Sequence, residues 1–335
     1  MKNLRKNIII GVIFGAVVMV GLGIYADFTE MARLLRAFRW GLLPAAIGLT
    51  VVNYLLRFSK WHYYLRQIGV KNLSWWADLR VFLGGFGFSL TPGKAGELVR
   101  LLWLKKLANV HPAETAPVAV AERLTDGIAM VILSLVGGLA YPQFTPAALT
   151  IGAVLVVAVV VIQIRPLALW LLGIGERLPL VSRFIHHLHT LYDNAYELLR
   201  LKNLLIAVTL GTLAWVSEGV ALYLVLLGLG MPAAGQLALL SVFILAFASV
   251  AGGASGVPGG LGVTEGGLTG MLQLLAGASE NVAATATLLI RFATMWFGVV
   301  LGLLIQAVWR DFLYGESNAA DLESISAAME SAAEK

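Results

Sequence analysis

The chain has no cysteine among its 335 residues, and only 13% of them are charged, about half the share found in soluble domains. The first absence removes disulfides, thiolate nucleophiles and thiolate metal sites. The second, with 59% apolar residues and a mean hydropathy of +0.84, removes soluble enzymes and nucleic-acid binders and leaves an integral membrane protein. Long stretches lack charge altogether: 20 residues between Lys6 and Asp27, and 38 from Gly127 to Ile164. From Asn203 to Trp309 only Glu218, Glu265, Glu280 and Arg291 are charged. A helix needs about 20 apolar residues to cross a hydrocarbon core about 30 Å thick.

The net charge of +5 conceals an asymmetry, because residues 311–335 carry −5 and the remainder +10. Basic residues beside span ends set orientation rather than mark nucleic acid. Lys2, Arg5 and Lys6 place the N-terminus in the cytoplasm and send residues 8–26 outward as a retained first helix. Residues 27–39 read as an amphipathic stretch on the outer interface, although Arg33, Arg36 and Arg39 oppose that orientation. The helix from Trp40 to about Leu56 returns inward to the flanking charges Arg57, Lys60, Arg66 and Lys71, with Trp61, Tyr63 and Tyr64 as interfacial anchors.

Further spans are expected at 115–140, 147–164, 203–229 and 283–309. Residues 165–202 read as a basic cytoplasmic segment suited to anionic lipid. Within that segment His186, His187 and His189 lack the acidic ligands and the i, i+4 spacing of a metal site.

Two apolar segments are broken in the middle. Residues 75–104 contain Thr91-Pro92-Gly93-Lys94-Ala95-Gly96-Glu97, and residues 237–277 contain Val257-Pro258-Gly259-Gly260-Leu261-Gly262. Proline and glycine interrupt a helix, and Lys94 and Glu97 cannot face lipid, so each segment is expected to be a re-entrant hairpin with a protein-buried tip. The two turns align as internal repeats, with Arg123 matching Arg291. The first unit begins with a helix running inward and the second with one running outward, so the repeats, at about 40–140 and 203–309 with the span 147–164 between them, are inverted. Broken segments at matching places in inverted halves point to a transport site near the membrane midplane. The competing explanation is that the glycines serve only helix packing.

The expected fold is therefore an all-α polytopic membrane domain over residues 1–312, with about six full spans plus two Pro-Gly hairpins, or eight or more spans if the hairpins cross. The acidic tail 313–335 is expected to be disordered and cytoplasmic.

Ionisable residues at membrane depth cost about 2.5–3.5 kcal/mol each on insertion scales and require partners. They cluster at the hairpins. Lys94, Glu97 and Arg100 sit on or after the first tip; Glu122, Arg123 and Asp126 open the next helix, with Arg123 placed to bridge to Asp126; Glu265 and Arg291 form the simplest pair in the second half; Glu218 stands in its own span. With the hairpin residues Pro92, Gly93, Gly96, Pro258, Gly259, Gly260 and Gly262 they make up the candidate substrate-binding set. The cations suit phosphate, and the carboxylates would hold them or meet a cationic headgroup. No Walker motif or dinucleotide fold is present, and no cofactor or metal is expected.

Three motifs, Thr91-Pro92-Gly93-Lys94-Ala95-Gly96-Glu97 followed by Arg100, Glu122-Arg123 with Asp126, and Val257-Pro258-Gly259-Gly260-Leu261-Gly262 with Glu265, in this order resemble the flippase-like membrane domain of lysylphosphatidylglycerol synthases. The resemblance implies movement of an aminoacylated phospholipid between leaflets, with a separate soluble domain attaching the amino acid. No such soluble domain is recognised in these residues, so synthase activity is not implied. Relatives are associated with glycolipid and polyprenyl-linked sugar pathways, which leaves the lipid open. The expected function is a translocase or scramblase-like transporter in the cell membrane, for a phospholipid or lipid-linked glycan with a charged headgroup. Both termini would be cytoplasmic, a separate synthase or glycosyltransferase could act as partner, and a homo-oligomer is compatible with this reading. The alternative is an intramembrane transferase using Glu97 or Asp126 as general base on a lipid-linked donor.

Overall fold

The computed structural model describes residues 2–90, 99–138, 145–176 and 185–314. Every regular element among them is helical, as lipid requires of a chain that must satisfy its backbone polar groups internally. The elements are α1 (Lys2–Tyr25), α2 (Phe28–Ala37), α3 (Leu42–Gln67), α4 (Trp75–Gly85), α5 (Val99–Ala108), α6 (Pro112–Gly138), α7 (Thr145–Gln163), α8 (Arg165–Glu176), α9 (Ile185–Leu198), α10 (Leu201–Gly228), α11 (Gly235–Ala254), α12 (Val263–Ala276), α13 (Glu280–Arg291), α14 (Phe297–Val308) and α15 (Arg310–Leu313). Among the described residues, α3, α7, α10, α11 and the continuous run Glu280–Val308 are long and apolar enough to cross a membrane. A sixth crossing arises only if Ile13–Tyr25 and Phe28–Ala37, bent by 96° at Ala26–Asp27, are taken together. The Asp27 carboxylate accepts from the Thr29 amide at 2.7 Å, which caps α2, starts it in a new direction, and holds the carboxyl below the usual carboxylate range.

Both broken segments are present as helix pairs. In the first, α4 and α5 have 11 and 10 residues, about 15 Å each, and neither can cross alone. In the second, α11 has 20 residues and passes the length test by itself, whereas α12 has only 14. The second segment is thus one full-length helix and one short one, joined through Ser255–Gly262.

The chain forms two compact units. One comprises Met1–Val51, Arg80–Arg100 and Ser217–Lys335; the other comprises Val52–Leu79 and Leu101–Val216. In the first unit the two broken segments meet. Leu90, at the end of the entering arm of the first, and Leu261, in the turn of the second, are each 1% exposed and pack with Val299 of α14, under Val18, Met295 and Trp296. The α14 helix reaches this position because Gly302 lies against the backbone of Phe86 and Gly87, where any side chain would collide with main chain. Gln306 donates to the Gly84 carbonyl at 2.7 Å and accepts from the Tyr314 hydroxyl at 2.9 Å, and Arg80 stacks on Trp309 and Phe312 at 4.9 and 5.4 Å.

In the second unit α6 packs on α7 and α9. Gln163 donates to the Tyr196 carbonyl at 2.9 Å and Asn194 to the Glu114 carbonyl at 2.9 Å, which ties these helices together at their ends. The side chains of His186, His187 and His189 lie outside the described residues, as does the acidic tail from residue 315 onward.

Candidate functional site

The first unit holds an ion pair between the buried Glu265 of the second broken segment and the half-buried Arg291 at the end of α13. The α11 helix stops at Ala254, and the turn that follows is made of residues able to adopt left-handed backbone: Gly259 has φ +60° and Gly262 φ +83°. Gly262 then starts α12, and its amide donates to Glu265 Oε2 at 2.7 Å. Glu265 thereby satisfies an orphan amide at the helix N-terminus while its other oxygen, Oε1, accepts from Arg291 Nε at 2.5 Å. Arg291 also donates to the Gly259 carbonyl at 3.0 Å and to Met295 Sδ at 2.8 Å. Glu265 is 1% exposed, so its charge is held entirely by this arrangement.

Arg291 ends α13, and Phe292–Trp296 continue as a π-helical turn before α14. Such turns widen the helix and recur at functional sites. Here the turn brings Met295 back onto the guanidinium. The expected Glu265–Arg291 pair is therefore present, with the glycine turn wrapped around it. Pro258 and Gly260 belong to the same turn, and Gly260 lies against Gly252 of α11.

A cavity of about 400 Å³ adjoins this pair, between α1 and α12. Glu265 is among the residues that line it, as are Tyr25 and Gln273, joined at 3.2 Å by a hydrogen bond from the Gln273 amide to the Tyr25 hydroxyl.

The second unit holds a different polar centre that sequence reasoning missed in part. Asn53, Arg57, Lys60 and Tyr64 fall at i, i+4, i+7 and i+11 along α3 and share one face. That face meets α6: Lys60 Nζ contacts Asp126 Oδ1 directly and donates to Thr125 Oγ1 at 3.3 Å, and Arg57 lies 3.6 Å from Asp126 Oδ2. Asn53 donates to the Ala214 carbonyl of α10 at 2.8 Å. Gly211 lets α10 approach within van der Waals distance of Asp126 and Lys60. Lys60, Asn53 and Tyr64 are 0%, 0% and 0% exposed, and Glu122 is buried beside them.

This corrects the sequence reading in two respects. Lys60 is a wholly buried partner of the buried Asp126 carboxylate rather than a solvated flank charge, and the charge of Asp126 is met from α3 rather than from Arg123 alone. Trp61 and Tyr64, expected as interfacial anchors, are likewise 0% exposed and pack inside the protein.

The remaining candidates are dispersed. Arg100, 4% exposed, lies across Gly85 and over the Phe82 ring at 5.4 Å in the first unit. Glu218 is buried on α10, one residue before Gly219, which packs on Val242 of α11. Arg123 belongs to α6. Pro92, Gly93, Lys94, Gly96 and Glu97 lie outside the described residues.

An all-α chain with, among the described residues, at least five helices long and apolar enough to cross a membrane, and with ionisable side chains paired inside the protein, defines a polytopic membrane protein. The chain belongs to the family described as the lysylphosphatidylglycerol synthase TM region, whose model matches residues 8–302. It is 25% identical to UPF0104 membrane protein PH1989 of Pyrococcus horikoshii, over 92% of this chain and 98% of that one. It is 24% identical to a UPF0104 membrane protein of Methanothermobacter thermautotrophicus, over 85% and 89%. A stretch of 144 residues, 40% of this chain and 23% of the other, is 27% identical to the glycosyltransferase AglD of Haloferax volcanii.

Proposed function

We propose that this protein moves a polar-headed lipid between the leaflets of the cell membrane. The observation that carries this reading is the pairing of the buried Glu265 with Arg291 at the place where the two broken segments meet, beside Leu90 and Leu261. A lipid headgroup crossing hydrocarbon must exchange water for other polar partners, each unsatisfied group costing several kcal/mol. Helix termini, unwound glycine backbone and a charge pair at depth supply those partners, as in the broken helices of other transporters. The Asp126 centre in the second unit supplies a further set of buried charges on α3 and α6.

The same spacing of 26 residues separates Glu97 from Arg123 and Glu265 from Arg291, which supports two related half-units. The inverted orientation of those halves, the cytoplasmic termini, and recruitment of anionic lipid to the basic segment 165–202 belong to this proposal. The name of the AglD relative describes that protein; for this chain it favours a lipid-linked glycan among the lipids considered.

The test is a leaflet-exchange assay with fluorescent lipids in vesicles containing purified protein. Exchange above that of empty vesicles, reduced at least about tenfold by Arg291→Gln with the protein still monodisperse, supports the reading; a loss of about 1.4 kcal/mol in the rate-limiting step suffices for that factor. Exchange unaffected by Arg291→Gln and Glu265→Gln overturns it.

A further inference from the structure

Arg33, Arg36 and Arg39 run against the orientation that the other basic residues set, and topology gives them no use. Helix α2 shows where they stand. Its beginning is tied to the start of α13: the Asp27 amide donates to Asn281 Oδ1 at 3.1 Å, and Met31, 5% exposed, packs with Ala26 and Ala284 beside Leu35 and Leu288. Its far end is tied to the end of α10, where the Arg39 amide donates to the Gly228 carbonyl at 3.1 Å and the Phe38 ring lies against Gly228. A helix of 10 residues is about 15 Å long, about half the hydrocarbon thickness. The ends of the two candidate spans that it joins, and the start of a third at Leu42, therefore lie at one membrane face. Helix α2 runs across that face, turned by 96° from Ile13–Tyr25.

One side of α2 is occupied by packing, and the other carries charge. Arg33, Arg36 and Arg39 are all exposed; Arg33 and Arg36, three apart, share a face, and Arg39 follows just past the helix end. The one carboxylate within the helix, Glu30, lies 3.6 Å from Arg33 with both side chains in the open, where such a pair contributes little. Among the described residues Arg36 and Arg39 enter no ion pair. Exposed aromatic rings flank the cations, Phe28 on one side and Trp40 on the other. Trp40 is fixed there by donating from Nε1 to the Leu35 carbonyl at 3.1 Å and by edge contact with the Phe38 ring at 5.3 Å. A cationic helix with aromatic rings beside it, lying along a membrane face, sits at the level of the lipid headgroups. Guanidinium groups at that level match phosphate, and a leaflet of anionic lipid presents it with net negative charge.

We propose that the exposed face of α2 is a docking surface for the phosphate headgroups of anionic phospholipid in the leaflet on which it lies. Arg33, Arg36 and Arg39 hold the phosphates, while Phe28 and Trp40 set the depth of the helix. This contact is separate from the Glu265–Arg291 site and does not depend on translocation.

The natural absence of cysteine allows a single reporter. In the full chain, Ala32→Cys, exposed and one turn before Arg36, carries a fluorophore, and the protein is placed in phosphatidylcholine vesicles. Quenching by phosphatidylglycerol is compared with quenching by phosphatidylcholine, each bearing the same nitroxide near the top of one acyl chain. Each arginine near an anionic surface strengthens attraction about fivefold, so phosphatidylglycerol is preferred by at least about fivefold, and Arg33→Gln with Arg36→Gln and Arg39→Gln brings the ratio to about one. Lys105→Gln with Lys106→Gln, which removes exposed cations elsewhere in the chain, leaves the ratio unchanged. Equal quenching by the two lipids in the reporter chain, or a preference that survives loss of the three arginines, overturns the proposal. So does a preference abolished by inorganic phosphate but not by chloride at the same ionic strength, which assigns the arginines to a free anion.

Discussion

Lys60 of α3 and Asp126 of α6 form an ion pair in which the lysine has no exposed surface, with Arg57 3.6 Å from the second carboxylate oxygen. Such a pair is held by what surrounds it: the attraction of two buried charges offsets their desolvation only while both remain.

Removal of one partner should therefore be far worse than removal of both. Lys60→Met or Asp126→Asn alone should destabilise the protein by about 3–5 kcal/mol, whereas Lys60→Met with Asp126→Leu should recover most of that loss. Thermal unfolding of the purified variants in detergent, followed by loss of the monodisperse peak, checks this. Equal loss in single and double variants would mean that the pair is not the source of stability.

Two glycines at similar-looking helical positions should respond oppositely to alanine. Gly302→Ala forces a methyl group into the Phe86–Gly87 backbone, which cannot yield as a flexible side chain would, and should cost about 1–3 kcal/mol. Gly266→Ala meets open space and should be neutral or stabilising by up to about 1 kcal/mol. The same melting measurement, run on both, separates a packing glycine from a cavity glycine.

Gln306 links α14 to the Gly84 carbonyl and to Tyr314. Gln306→Leu leaves the Gly84 carbonyl without its side-chain donor and should cost about 1–3 kcal/mol. Limited proteolysis after Lys105 and Lys106, at the end of the first broken segment, should accelerate in parallel.

Sidedness follows from the expected orientation. A cysteine at Lys71, in the exposed connection after α3, should be modified only from the cytoplasmic face, and one at Ala233, in the exposed connection after α10, only from the outer face. Modification of both from one face would remove the inverted arrangement from the account.

Much of this architecture was legible from residues alone, for physical reasons that can be stated. Prolines and glycines break apolar helices wherever they fall, so both broken segments announced themselves, and the turn at Val257–Gly262 separates α11 from α12 as expected. Glu265 and Arg291 could be paired on paper because each is conspicuous in an otherwise uncharged run. Lys60 and Arg57 could not, because a basic residue near a span end looks the same whether it faces water or a buried carboxylate. Their common face with Asn53 and Tyr64 was the available signal: four polar positions at helical spacing within one span. The π-helical turn after Arg291 has no composition of its own, and the glycines of the cavity cannot be told from packing glycines until their neighbours are known.

Leaflet exchange itself is the property that translocation requires most directly. In vesicles containing the wild-type chain, a fluorescent polar-headed lipid in the inner leaflet should become accessible to a membrane-impermeant quencher at a rate well above that of protein-free vesicles, and Glu265→Gln and Arg291→Gln should each suppress it. Equal rates with and without the protein, or product formation from a lipid-linked donor in detergent where no leaflets exist, would contradict it.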